Sequence, residues 1–132
     1  MPVVVQQLTQ PSDQDRQDLL KIYADAPQWL LAPFADAEAL VTRGLAEGRL
    51  FTGRFNDRLL GAAWIERDGS TWRLSRLCVR QLTRNRGVAR RLLEEAQRLA
   101  ILQGAALRLS APDDQPEAVR FAEHLGLTLE TA

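Results

Sequence analysis

Residues 77–89 read Leu77-Cys78-Val79-Arg80-Gln81-Leu82-Thr83-Arg84-Asn85-Arg86-Gly87-Val88-Ala89. The stretch begins as an apolar strand, turns polar and arginine-rich, and passes through Gly-x-Ala into a strongly periodic segment. There Val88, Leu92, Leu93, Ala96, Leu99 and Ala100 recur with the 3.6-residue spacing of a helix that buries one face, and Gly104 suits its C-terminal end. A helix start presents unpaired N–H groups and the positive end of the macrodipole. Gly87 removes a Cβ where an anion must approach the backbone, Ala89 keeps the next wall small, and Arg84 and Arg86 add full charges. Strand, loop and helix N-terminus together predict a diphosphate cradle. Between Arg73 and Arg91 there are seven arginines and no acidic residue, so the cradle sits in a locally basic segment.

The strand leading into this loop, about Thr71 to Arg80, changes phase. Trp72 and Leu74 are apolar at even positions, Leu77 and Val79 at odd ones. Strand side chains alternate faces, so the change needs an extra residue, a bulge near Ser75–Leu77 that splays the strand from its neighbour. Upstream, Arg49–Phe55 and Arg58–Arg67 read as strands, separated by Asn56-Asp57 turn chemistry, and Asp68-Gly69 is a hairpin signal. Earlier still, Val3-Val4-Val5 opens a strand ending near Leu8. Ser12 with Asp15 forms a capping-box arrangement for a helix whose stripe is Leu19, Leu20, Ile22 and Tyr23. After Pro27 and an apolar connector at 29–34, Asp36 caps a second helix that carries Leu40, Val41 and Leu45. Downstream come a strand at 106–110, a helix opening at Gln115-Pro116 and ending at Gly126, and a strand from Leu127 to Glu130. The order is β-α-α-β-β-β-α-β-α-β: an α/β chain with a mixed sheet covered on both faces, in a single domain over 1–132.

Composition narrows the function. At 132 residues and 14.8 kDa, with 45% hydrophobic and 26% charged residues, the chain is sized and composed for one packed core. No apolar run reaches the roughly 18–20 residues of a membrane helix, and the N-terminus lacks the basic and apolar regions of a secretory signal. One cysteine, Cys78, and one histidine, His124, exclude a Cys-cluster metal site and argue against a metalloenzyme; no metal is expected. Net charge is zero and no aromatics interleave with the arginines, which disfavours nucleic acid as a partner. A reducing, cytoplasmic setting follows.

Arg84-x-x-Gly87-x-Ala89 resembles the [QR]-x-x-G-x-[GA] acyl-CoA motif of the GNAT superfamily of N-acetyltransferases, and the element order matches that fold except that its usual final strand is missing. Gln115-Pro116-Glu117-Ala118-x-x-Phe121-Ala122-x-x-Leu125-Gly126-Leu127 is similar to the superfamily's last helix. Closer still, Ser12-Asp13-Gln14-Asp15-Arg16, Lys21-Ile22, Arg54-Phe55-Asn56-Asp57-Arg58-Leu59-Leu60, Thr83 to Val88 and Leu92-Leu93-Glu94-Glu95 resemble the PanZ (PanM) family. That family keeps the acetyltransferase fold and acts as an acetyl-CoA-dependent maturation partner of aspartate 1-decarboxylase. The chain departs from it in a longer second helix, about 35–48, and in a C-terminus that stops soon after Gly126-Leu127.

The resemblance implies that acetyl-CoA, or CoA, is held by Leu77, Cys78 and Val79, whose backbone would pair with the pantetheine arm, and by Thr83, Arg84, Asn85, Arg86, Gly87, Val88, Ala89 and Arg90 around the diphosphate. It assigns partner binding to Arg54, Asn56 and Arg58, in a turn where Asn56-Asp57 alone would make the reversal. Two functions stay open: a regulatory module of aspartate 1-decarboxylase, and an N-acetyltransferase acting on an amine. The second needs a base, for which Glu66 is the candidate, and an acid for the departing thiolate. Superfamily enzymes often place a tyrosine where this chain has Ala122, so the acid is absent, which favours binding over catalysis.

Overall fold

The computed structural model describes residues 3–24, 26–80, 87–112 and 114–131. Its elements, in order, are β1 (Val4–Gln7), α1 (Asp13–Ala24), α2 (Gln28–Leu31), α3 (Ala37–Ala46), β2 (Leu50–Phe55), β3 (Arg58–Asp68), β4 (Thr71–Val79), α4 (Val88–Leu102), β5 (Ala106–Ala111), α5 (Pro116–Leu125) and β6 (Thr128–Thr131). The strands form one six-stranded sheet in sequence order. The pairs from β1 to β4 are antiparallel, and β4–β5 and β5–β6 are parallel, with α4 and α5 as the crossovers. The order read from the sequence holds, with one addition. The apolar connector contains a short helical turn, α2, which buries Leu30 and Leu31.

Local chemistry explains the boundaries. Ser12 and Asp15 form the reciprocal cap at the start of α1: Asp15 N–H donates to Ser12 Oγ at 3.0 Å and Ser12 N–H to Asp15 Oδ2 at 3.2 Å. Asp36 caps α3 by accepting from Ala39 N–H at 2.9 Å. Neighbouring residues of β3 face opposite ways. Ala62 and Trp64 join Leu19, Ile22, Tyr23, Leu40 and Val41 in a core under α1 and α3. Ala63 and Ile65 join Leu93, Ala96 and Ala100 in a core under α4. Fully burying a leucine such as Leu93 contributes roughly 2 kcal/mol, so the two layers together hold the sheet from both sides. Gly61 lets α4 approach closely. A Cβ there would sit 3.0 Å from Val88 Cγ1, at the first turn of the helix.

The phase change in β4 is a bulge. Ala62 pairs with Cys78 and Trp64 with Ser75, leaving Arg76 and Leu77 opposite the single residue Ala63. Arg76 takes the left-handed conformation, φ 53°. The bulge carries Trp72 and Leu74 into the α4 core while Cys78 packs into the α1 core, as the shifted apolar positions require.

Candidate functional site

β4 and β5 pair only from Thr71↔Ala106 to Leu74↔Leu109. Beyond that point β4 runs on to Val79, bonded to β3 on its other side, and β5 runs on to Ala111. The strands part where the bulge lies. The gap opens into a cleft of about 620 Å³, walled by residues 75–79 of β4, 109–111 of β5, 87–90 at the start of α4, the 27–30 segment and the start of α5. The bulge is braced from below. Tyr23 O–H donates to the Arg76 carbonyl at 2.7 Å, and the Cys78 thiol to the Ile22 carbonyl at 3.2 Å. Burial drives the Tyr23 pKa well up, so this hydroxyl is a structural donor.

The cleft gathers the sequence-predicted residues Leu77, Cys78, Val79, Gly87, Val88, Ala89 and Arg90. Thr83, Arg84, Asn85 and Arg86 lie outside the described residues. Gly87 is the N-cap of α4 with φ 81°, and no side chain caps this end. A Cβ on Gly87 would meet nothing within 4 Å, so glycine serves the backbone conformation and leaves open space over the helix start. Arg90 donates to Glu94 at 3.0 Å and lies against His124 of α5. Open space over a positive helix end, joined to the seam where β4 has parted from β5, suits a ligand with a phosphate head and an extended amide-bearing arm. These residues therefore fit the CoA that the motif implies.

Other sequence candidates lie elsewhere. Glu66 pairs in register with Arg73, is exposed, and is not a lining residue of the cleft. Ala122 is buried in the α4 core, 4% exposed, rather than at the cleft wall. Asn56 is exposed at the β2–β3 turn with φ 55°. Its flanking arginines turn inward. Arg54 grips both oxygens of Asp15, at 3.0 and 3.1 Å, and Arg58 grips Asp18, at 2.6 to 3.0 Å. The Arg54 hydrogen bond holds the Asp15 carboxyl below the usual range. For Asp18, burial works to raise the pKa, but bonds from Arg58, Leu59 N–H and Gln14 outweigh it and the net shift is downward. Only the polar tip, Asn56 and Asp57, is thus presented outward without an ion pair among the described residues.

Sequence reasoning missed Arg76, Ser110 and Glu117 as cleft residues. Arg76 had a signal, since the phase change falls on it. Ser110 and Glu117 had none, because their place depends on how far β5 parts from β4.

The profile described as "Acetyltransferase (GNAT) domain, PanZ" matches residues 2–130. The chain belongs to the PanZ family. It is 36% identical over 98 residues to the PanD regulatory factor of Escherichia coli K12, covering 74% of this chain and 68% of that protein. The PanD regulatory factor of Salmonella typhimurium LT2 is 35% identical over the same span. Among solved structures, the ribosomal-protein-S18-alanine N-acetyltransferase of Escherichia coli superposes with a TM-score of 0.73 at 20% identity, over 95% of this chain and 77% of that one. PaiA N-acetyltransferase of Thermoplasma acidophilum, in complex with coenzyme A, gives 0.70 at 16% identity, over 95% and 89%. The PanZ-family chain thus has the GNAT acetyltransferase fold, and no helix among its described residues is long and apolar enough to cross a membrane.

Proposed function

We propose that this PanZ-family protein binds acetyl-CoA in the β4–β5 cleft and, in that state, promotes maturation of the aspartate 1-decarboxylase proenzyme, PanD, in the cytoplasm. The family match over residues 2–130 carries the reading. The cleft supports its cofactor half: the diphosphate is assigned to the amides of residues 87–90 with Arg84 and Arg86, alongside Thr83 and Asn85, and the pantetheine arm to the side of β4 at 77–79 that faces the cleft. The turn supports its partner half. With Arg54 and Arg58 committed to Asp15 and Asp18, we assign them to shaping the turn and Asn56 to the contact itself. The rival, acetyl transfer to an amine, is weakened by Ala122 in the core and by Glu66, which is not a lining residue of the cleft.

The test is a titration of the protein, saturated with acetyl-CoA, against the PanD proenzyme, with self-cleavage followed in parallel. Asn56→Gly keeps the positive-φ turn and removes only the side chain. It should weaken the complex about tenfold, the loss of one good contact of roughly 1.4 kcal/mol, with acetyl-CoA affinity unchanged. If the saturated wild-type protein neither binds the proenzyme nor speeds its cleavage, the partner assignment fails while the cofactor assignment stands.

A further inference from the structure

The bulge residue Arg76 is chemically unlike the arginines around it. Arg73 and Arg108 close on Glu130, Arg54 on Asp15 and Arg58 on Asp18. Arg76 has no carboxylate within ion-pair distance among the described residues. Glu66 is the acid near enough to be felt by its charge, without contact. Arg76 is half-buried and its guanidinium carbon lies over two rings, 5.0 Å from the Trp64 centroid and 5.5 Å from that of Phe34. Two of its N–H groups find neutral acceptors, Ser75 Oγ at 3.1 Å and the Ala32 carbonyl at 2.9 Å. Its Nε is buried with no partner, and so is Nε1 of Trp64, a residue only 4% exposed. The charge of Arg76 is thus held by aromatic rings and neutral acceptors, with no carboxylate to balance it among the described residues. Desolvating an unpaired guanidinium is costly, and this chain retains it at a backbone position, φ 53°, that other residues fill more easily. Arg76 also lines the cleft, together with Trp29, Leu30 and Leu77.

We propose that Arg76 is a carboxylate-binding residue of the cleft, receiving the carboxylate of a second ligand whose apolar stem lies against Trp29 and Leu30. The two terminal nitrogens of this planar guanidinium, each bonded once to a neutral acceptor and each carrying a second N–H, match the two oxygens of a carboxylate. The aromatic rings behind it fix its plane, and the apolar wall selects a short hydrophobic stem over a polar one. The ligand is therefore an apolar carboxylic acid, either a small free acid or the C-terminal residue of a peptide. The location rests on reading the cleft as the cofactor site; the chemistry of Arg76 does not.

The purified protein, with and without acetyl-CoA, would be titrated with N-acetyl-leucine, N-acetyl-leucinamide, and an N-acetylated Ala-Ala-Leu tripeptide in acid and amide forms. The arginine Nε–Hε signals are followed by NMR. Saturable binding of the acids, with movement of the Arg76 signal and at least a tenfold preference over the amides, is the expected result. Arg76→Gln should abolish that preference. The tripeptide acid binding more tightly than N-acetyl-leucine identifies a chain terminus as the source; the reverse identifies a small acid. Equal binding of acid and amide overturns the proposal, as does an acid preference that survives in Arg76→Gln, or no saturable binding of any probe up to about 20 mM, where even a millimolar site would fill. The acid–amide comparison uses wild-type protein, so it decides even if the variant does not fold. Intact acetyl-CoA binding alongside a failed acid preference removes this site and leaves the cofactor reading in place.

Discussion

Asp18 has a fully buried carboxylate, and it accepts bonds from Arg58, Gln14 and the backbone N–H of Leu59. One side chain of α1 thus fixes the start of β3 and, with Asp15 holding Arg54, the base of the β2–β3 turn. Asp18→Ala would orphan the buried Leu59 N–H and is expected to cost about 2 kcal/mol, read as a lower denaturant midpoint with unchanged slope. The same pairs set an acid limit. Both carboxyls have folded-state pKa values below their ordinary values. Their stabilisation is therefore complete above the unfolded carboxylate range near 4, and is lost as pH falls through the lower folded values. Thermal midpoints should be flat from about pH 7 to 5 and drop below about pH 4. In Asp15→Asn/Asp18→Asn that drop should be shallower, measured by circular dichroism. The residue types and the turn were legible in the sequence, but the inward course of Arg54 and Arg58 was not. Their partners stand 39 and 40 positions away, and only the packing of α1 on β3 brings them together.

The element that makes the site is β4, with α4 docked beside it. Its bulge was legible because apolar residues must face a core, and the shift from even to odd positions has no other regular explanation. The start of α4 was legible too, since Gly87 and the periodicity after it mark a helix whose first amides lack partners. Gly87→Glu and Gly87→Ala separate the two roles of that glycine. Alanine at φ 81° brings strain of about 1–2 kcal/mol into open space, and should lower thermal stability with only a small loss of acetyl-CoA affinity. Glutamate adds a like charge where phosphate is expected and should lower affinity at least a further tenfold, or about 1.4 kcal/mol. Equal affinities for the two variants in calorimetry would remove the diphosphate from this helix end.

At the scale of the molecule, the mixed sheet sets where chemistry can occur. Antiparallel β1–β4 and parallel β5–β6 meet at a pair of strands that part after Leu74 and Leu109, and ligand space opens at that seam, outside the carboxyl ends of the parallel strands. With Ala122 in the core, acetyl transfer to polyamines, aminoglycosides or peptides should fall far below the roughly 10 per second of a median enzyme, as checked by thiol release; turnover near that value would make this chain a transferase. The sequence by itself determined the element order, the caps, the bulge and the helix start, because each follows from neighbours a few residues apart: apolar period, turn chemistry, side chain to nearest N–H. It also determined the family, whose residues are spread along 2–130. Tertiary structure alone decided which charges are spent inside the fold and which are left over. Arg54 and Arg58 find Asp15 and Asp18 while Arg76 finds two aromatic rings and, among the described residues, no acid, since the fate of a charge depends on what the folded chain places within about 4 Å of it, and that distance has no fixed relation to spacing along the sequence.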